Sequence, residues 1–300
     1  MKMHADQVPT SVGLVRALLA DQFPPWAALP VTPVRSWGTD HDIYRLGDGL
    51  SVRLPKIGWA TAQAAKEGEW LPKLRPRLPV AVPVYVASGR PGRGYPYEWS
   101  ICEWLPGHPA GPADDLSTVA GDLAYFLYTL RKIETRGAPL PSPGSRGGPR
   151  SKLDEPVRAA IAKLGDRVDG RALIHSWEES LAAPAWQGPD TWMHGDLLPG
   201  NLLVDGGRWS AVIDWGSSVA GDPACDLMAA WNVFPPAARR EFREALDVDE
   251  AQWLRGRGWA LAQAVIALPY YWETNPGIVG QANRALEQVL GDWPGSRYLT

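Results

Sequence analysis

Cysteine is scarce: Cys102 and Cys225 are the only two in 300 residues. Two thiols make no disulfide framework, and their spacing fits no zinc site, so they read as reduced thiols of a cytoplasmic protein. Long apolar runs are missing too. The longest near the C-terminus, WALAQAVIALPYYW, is too short to span a bilayer and is interrupted by Gln263 and Pro269. The opening MKMHADQVPT has no apolar core of the signal-peptide kind. No basic run interleaved with aromatics points to nucleic acid, and no internal repeat is visible. A soluble chain with neither a membrane nor a nucleic-acid partner is expected.

What is present is ordinary in bulk and uneven in detail. The hydrophobic share is 45% and the charged share 21%, as in soluble globular proteins, and the length suffices for one large domain or two lobes. Net charge is −3, but residues 1–150 hold 17 Lys and Arg against 13 Asp and Glu, while residues 151–300 hold 13 against 20. That split fits an anionic ligand toward the first half and a cationic one toward the second; solvated surface charge is the alternative.

The first hundred residues read as short strands with one or two helices. Thr10 or Ser11 caps a helix ended by Pro24 and Pro25. VTPVRSW, DIYRLG and LSVRLP follow as strands, with Asp48-Gly49 as a hairpin turn. A helix over 61–74 with Thr61 as cap comes next, then strands at VPVYVAS and YEWSICEWL. From Leu116 the apolar period becomes helical through Leu130. RGAPLPSPGSRGGPR reads as a disordered surface loop, although Arg146 and Arg150 within it could border a cleft. Helices resume at 154–166 and 171–183, and later at 223–232, 236–246, 250–268 and 278–290. The fold class expected is α+β: a β-rich lobe over 1–106 and a mostly helical lobe over 107–300, with a cleft between.

HGDLLPGNLLVDGGRWSAVIDWG carries the chemistry. Asp196 and Asn201 lie five apart on one loop. NLLV and WSAVI are strand-like, with DGGR as a tight turn between them. The hairpin so formed returns Asp214 to the side of Asn201. An aspartate following Val212 and Ile213 is costly to bury unpaired. Mg²⁺ takes a few hard oxygen ligands and completes its shell with water and phosphate, so Asn201 and Asp214 can supply two, leaving Asp196 to accept a hydroxyl proton. The spacing matches the catalytic loop and metal aspartate of kinases.

With HGDLLPGN, AVIDWG and GDPACDL in place, the chain resembles the aminoglycoside phosphotransferase family, small-molecule kinases of the protein-kinase fold. The resemblance runs over nearly the whole length. It implies Asp196 as catalytic base, Asn201 and Asp214 as metal ligands, His194 as organiser of the loop and Asp226 as its brace. The loop SWGTDHDIYRL takes the place that covers nucleotide phosphates, with Ser36 and Thr39 as hydroxyl donors; Asn is common in the family where His41 stands. Arg53 occupies the position of the phosphate-pairing lysine, a workable exchange because guanidinium is permanently charged and bidentate. Lys56 is its alternative, expected to point to solvent. Glu67 is the expected partner of Arg53, and Glu69 the competitor. Glu103, Trp104 and Leu105 resemble the segment whose main chain meets the purine edge, leaving ATP and GTP undistinguished.

The same resemblance implies Mg²⁺, a nucleoside triphosphate and a small hydroxylated acceptor against the C-terminal helices. There Trp231, Trp259, Tyr270, Tyr271, Trp272 and Glu273 cluster, and an aromatic stripe at helical spacing is more often core than ligand cage. Asp222 and Glu273 are the carboxylates offered to an aminoglycoside, the favoured acceptor; another antibiotic scaffold or a metabolite such as an amino alcohol or sugar is the rival. A catalytically silent nucleotide-binding module is the reading from another class.

Overall fold

Ser11, with its hydroxyl accepting from the Leu14 amide at 3.1 Å, starts helix α1 (Val12–Gln22). This computed structural model describes residues 6–34, 38–111 and 113–292. Strands β1 (Val31–Pro33), β2 (His41–Leu46) and β3 (Leu50–Pro55) follow, with Gly47 at φ +59° turning the β2–β3 hairpin. Helix α2 (Thr61–Leu74) leads to β4 (Tyr85–Gly89) and β5 (Trp99–Glu103). The five strands form one antiparallel sheet in the order β1-β2-β3-β5-β4. Thr61 is not the cap of α2. Its hydroxyl donates to the Gly58 carbonyl at 2.7 Å because a 3-10 turn at Gly58–Ala60 runs straight into the helix.

The rest is mostly helical. After the two-residue β6 (His108–Pro109) come α3 (Ala120–Arg131), α4 (Asp154–Leu164) and α5 (Gly170–Ala182). Then β7 (Thr191–Met193), β8 (Leu202–Asp205), β9 (Arg208–Val212) and β10 (Val219–Gly221) follow, and two small sheets, β10-β7 and β6-β8-β9, surround the HGD segment. Helices α6 (Ala229–Asn232), α7 (Pro236–Leu246), α8 (Glu250–Tyr271) and α9 (Pro276–Gly291) close the chain. The helix expected over 223–232 is split: Pro223–Met228 winds as 3-10, started by Asp222 accepting from the Ala224 amide, and only its end is α-helical.

The segment 137–150 is no disordered loop. The Pro139 carbonyl accepts from the Ala220 amide at 2.8 Å, and Arg150 is buried, donating to the Ser180 carbonyl at 3.0 Å. Gly147, at φ +77°, packs where a Cβ would collide with Met193, so its glycines serve close approach. Two apolar cores result. One joins α1 to the five-stranded sheet through Val15, Leu18, Val52 and Trp99. The larger joins α3, α5, α8 and α9 and also takes in Leu71 and Leu74 of α2. Hence α2 is anchored in the helical part while its face carrying Glu67 serves the sheet.

Helices α5 and α8 meet closely at Gly258, where an added Cβ would lie 1.8 Å from Ser180 Oγ and 2.6 Å from its Cβ. Overpacking of this kind costs roughly 1–3 kcal/mol. Gly258→Ala is therefore expected to lower the thermal midpoint by several degrees in calorimetry, whereas a midpoint within one degree of wild type would contradict the close α5–α8 contact.

Candidate active site

The HGD turn is built on one buried carboxylate. Asp226 accepts from the His194 amide at 2.8 Å and the Gly195 amide at 2.7 Å. His194 Nδ1 accepts from the Asp196 amide at 3.2 Å, so Nε2 carries the hydrogen and donates to the Ile213 carbonyl at 3.0 Å. Burial lowers the pKa of this imidazole, keeping it neutral, and Trp215 packs edge-on against it with ring centroids 4.8 Å apart. Gly195 has φ +80°, a backbone that L side chains rarely adopt, and an added Cβ would lie 3.0 Å from the Ser217 carbonyl.

Three sequence-selected groups converge as the hairpin requires. Leu202 pairs with Val212 across β8 and β9, and the Ile213 amide donates to the Asn201 carbonyl at 2.9 Å. Asp214 follows at once, in left-handed backbone at φ 63°. Asn201 Nδ2 donates to the Asp196 carbonyl at 2.8 Å and to Asp196 Oδ2 at 3.0 Å. That commitment of the amide nitrogen leaves the Asn201 side-chain oxygen available to a cation. The Asp214 carboxylate accepts no hydrogen bond among the described residues. Burial, helped by Asp196 and Glu67, pushes it up to about 7, with Arg53 opposing. A carboxylate and an amide oxygen beside further negative charge, with no protein cation bonded to that carboxylate, fit a magnesium ion that retains water and phosphate oxygens.

Arg53 Nη1 lies 2.6 Å from Glu67 Oε2, so Glu67 is its partner; Glu69 instead pairs with Lys73 on the surface of α2. Tyr85, which sequence reasoning passed over as a strand residue, donates to the same Glu67 oxygen and accepts from Arg53 at 3.2 Å. Lys56 does not point to solvent. Its ammonium is 4% exposed as a residue, donates to the Gly38 carbonyl at 3.0 Å and lies 3.5 Å from Asp42, because the chain turns under the Gly38–Asp40 segment after Pro55. His41 is buried beside Arg53 and Lys56, and both burial and those charges hold its pKa well below the usual imidazole range. Ser36 lies outside the described residues. Thr39 donates to Asp40 at 2.8 Å and also bonds Tyr271. Of the main-chain groups expected at the purine edge, the Glu103 and Trp104 amides donate to Val84 and Gly49; the Leu105 amide bonds to no described residue.

Beside Asp196 opens a cavity of about 710 Å³. Tyr271, Tyr270 and Trp259, from the aromatic stripe expected more often in the core, line it together with Ile266 and Trp59. The other acceptor candidates lie elsewhere. Trp231 is core, 1% exposed, its indole nitrogen donating to Asp292 at 2.7 Å. Trp272 packs against the core with the Arg167 guanidinium 4.5 Å from its ring. Glu273 is exposed and is not part of the lining. Asp222 is consumed by Arg255 at 2.8 Å and Arg150 at 3.5 Å. Buried cations take up a nearby carboxylate before any ligand can. Gln263 was missed as a site residue, while Arg146, expected only at the border of a cleft, joins it at the base of the cavity: they reach Asp196 Oδ1 at 2.9 and 2.7 Å. The signal for Gln263 was its place as the one polar side chain within the apolar run WALAQAVIAL.

The raised Asp214 pKa has a measurable consequence. Its folded form binds a proton that an unfolded aspartate releases near its ordinary 3.8, so metal-free stability falls as pH rises from about 4 to about 7. Asp214→Asn abolishes that penalty, at most about 4 kcal/mol for the full displacement from 3.8 to about 7. Urea unfolding in chelator at pH 8 should find the variant more stable than wild type, with the gap closing by pH 4; a gap independent of pH would contradict the assignment.

Comparison with known proteins agrees with this architecture. The protein of Bacillus subtilis strain 168 described as uncharacterized protein YcbJ is 26% identical over 230 residues, covering 72% of each chain. Among solved structures, that of APH(2")-IIIa with GDP and kanamycin superposes with a TM-score of 0.73 at 18% identity, covering 93% of this chain and 98% of that one. Macrolide 2'-phosphotransferase MphH from Brachybacterium faecium gives 0.58 at 24%, covering 97% and 100%. These likenesses carry the kinase-like fold. No helix among the described residues is long and apolar enough to cross a membrane. The model of the phosphotransferase enzyme family APH matches residues 31–262, and the chain belongs to that family.

Proposed function

We propose that this phosphotransferase moves the γ-phosphoryl group of ATP or GTP to a hydroxyl of a small molecule, with residues 1–106 holding the nucleotide and 107–300 the acceptor. The observation that carries the reading is the β8–β9 hairpin, which returns Asp214 to Asn201 while the Asn201 amide grips Asp196. Complexes of related folds with GDP and ADP support a nucleotide donor. Asn201 and Asp214 would hold Mg²⁺, which when bound supplies charge neutralisation to the phosphates. The protein's own groups do the rest. Arg53, oriented by Glu67 and Tyr85, clamps phosphate oxygens, and Asp196 aligns the hydroxyl and takes its proton. A silent nucleotide-binding module would have no use for Asp196 in this setting.

The acceptor reading shifts from an aminoglycoside toward a bulky, largely apolar molecule. Among the described residues, the only charged ones lining the cavity are Asp196 and Arg146, and they pair with each other. No described carboxylate is left spare in the lining for ammonium groups, while Trp59, Ile266, Tyr270 and Tyr271 offer apolar wall. The aminoglycoside reading keeps the support of the kanamycin-bound APH(2")-IIIa fold.

Two measurements test these assignments. Asp196→Asn should reduce Mg²⁺-dependent turnover by about 10²–10⁴, the contribution of a positioned base, with little change in nucleotide KM; an unimpaired variant overturns the role of Asp196. For whichever compound in a panel of macrolides, aminoglycosides and hydroxylated metabolites is phosphorylated, acceptor KM should stay flat between about 0.05 and 0.5 M salt, because apolar contact is not screened. A KM rising tenfold with salt would return the acceptor to the polycationic class.

A further inference from the structure

Asp196 is held from three sides. Asn201 Nδ2 meets Oδ2 at 3.0 Å, while Arg146 Nη1 and Gln263 Nε2 both meet Oδ1, at 2.7 and 2.9 Å. A carboxylate offers about four lone-pair directions, two per oxygen. Both on Oδ1 are taken and one on Oδ2 is open. Oδ2 is thus the atom presented to an incoming hydroxyl.

The guanidinium that closes Oδ1 comes from the segment that looks least structured in sequence. Its anchoring is specific. The Pro139 carbonyl holds the Ala220 amide, Gly147 packs tightly against Met193, and Arg150 is buried against Ser180 and Asp222. Arg146 sits between these fixed points, and the same Nη1 that meets Asp196 also donates to the Gly195 carbonyl. One nitrogen thus bridges the main chain of the HGD turn and the carboxylate it presents. Gln263 is fixed in turn: its oxygen accepts from Asn232 Nδ2 at 3.3 Å, so its nitrogen faces Asp196. Arg146 and Gln263 also line the acceptor cavity.

We infer that Arg146 is a positioning residue for the transfer reaction: by closing Oδ1 it fixes the Asp196 carboxylate rotamer so that Oδ2 receives the acceptor hydroxyl's proton. The inference rests on the reading of Asp196 as the base. It assigns a chemical purpose to the ordered Gly/Pro-rich segment. Gln263 is the second, neutral closure of the same oxygen.

The test is kinetic, with turnover read as Mg²⁺-dependent phosphate release from ATP or GTP, water being the acceptor, and repeated with any accepted compound. Arg146→Met loses its charge-assisted bonds to Asp196 Oδ1 and to the Gly195 carbonyl and is about 10- to 100-fold slower in kcat, with nucleotide KM unchanged. Added guanidinium ion restores part of the rate. Arg146→Lys keeps most of it, since an ammonium has donors enough for both oxygens. In an Asp196→Asn background, Arg146→Met adds no further loss, because it acts through that carboxylate. An additive loss in that background, or a rate fall matched by a lower midpoint and deaf to guanidinium, overturns the inference and leaves Asp196 as base. An unimpaired Asp196→Asn removes the base and the inference together.

Discussion

The Asp226 carboxylate, buried and accepting two consecutive main-chain amides, is the interaction on which the site depends. Burial raises its pKa, and the amides of His194 and Gly195 with the nearby imidazole offset that cost. With the turn pinned there, Gly195 takes its left-handed backbone and Asp196 is delivered with its amide on His194. His194 ties the same turn to Ile213, one residue before Asp214. The proposed base and the candidate metal ligands are therefore one rigid unit. A buried carboxylate bonded to main-chain N–H groups is strong because each bond is charge-assisted in a medium of low dielectric.

Charge balance shapes the cleft around that unit. Asp196, Asp214, Glu67 and Asp40 bring several negative charges together, and Arg53 and Arg146 answer two of them directly. Lys66 reaches the carbonyl of Gly216, two residues past Asp214, so α2 touches the segment that carries the candidate metal ligand. The same helix carries Glu67 to Arg53 and buries Leu71 and Leu74 in the helical core. Placement of Arg53, the proposed phosphate clamp, and placement of Asp214 are mechanically linked through α2, the kind of coupling expected where nucleotide and metal must be assembled together.

The acceptor side follows another rule. Carboxylates that looked free in sequence are spent on buried cations, as Asp222 is on Arg255 and Arg150. The tryptophan expected at the wall, Trp231, instead completes the core. What remains at the cavity is aromatic and aliphatic surface with a short amide relay, Asn232 to Gln263 to Asp196. Such a wall suits discrimination by shape and apolar contact, and the relay ends on Asp196, the proposed base.

The sequence by itself determined the elements and the catalytic loop, because both depend on local spacing. The α2 bounds at 61–74, the β8–β9 hairpin and the trio Asp196, Asn201 and Asp214 follow from apolar period, turn residues and a short return of the chain. Pairing Arg53 with a helix glutamate came from the family resemblance, and the structure chose Glu67 over Glu69. Only the tertiary structure decided the rest. Tyr85 joins that pair through the sheet order β3-β5-β4, and Arg146 reaches Asp196 across fifty residues. Lys56 turns inward for a carbonyl, and Asp222 finds its arginines from other helices. A long polar side chain records in sequence only that it can bond; which partner it meets depends on which elements pack beside it, and that is set by the burial of apolar faces far from the site.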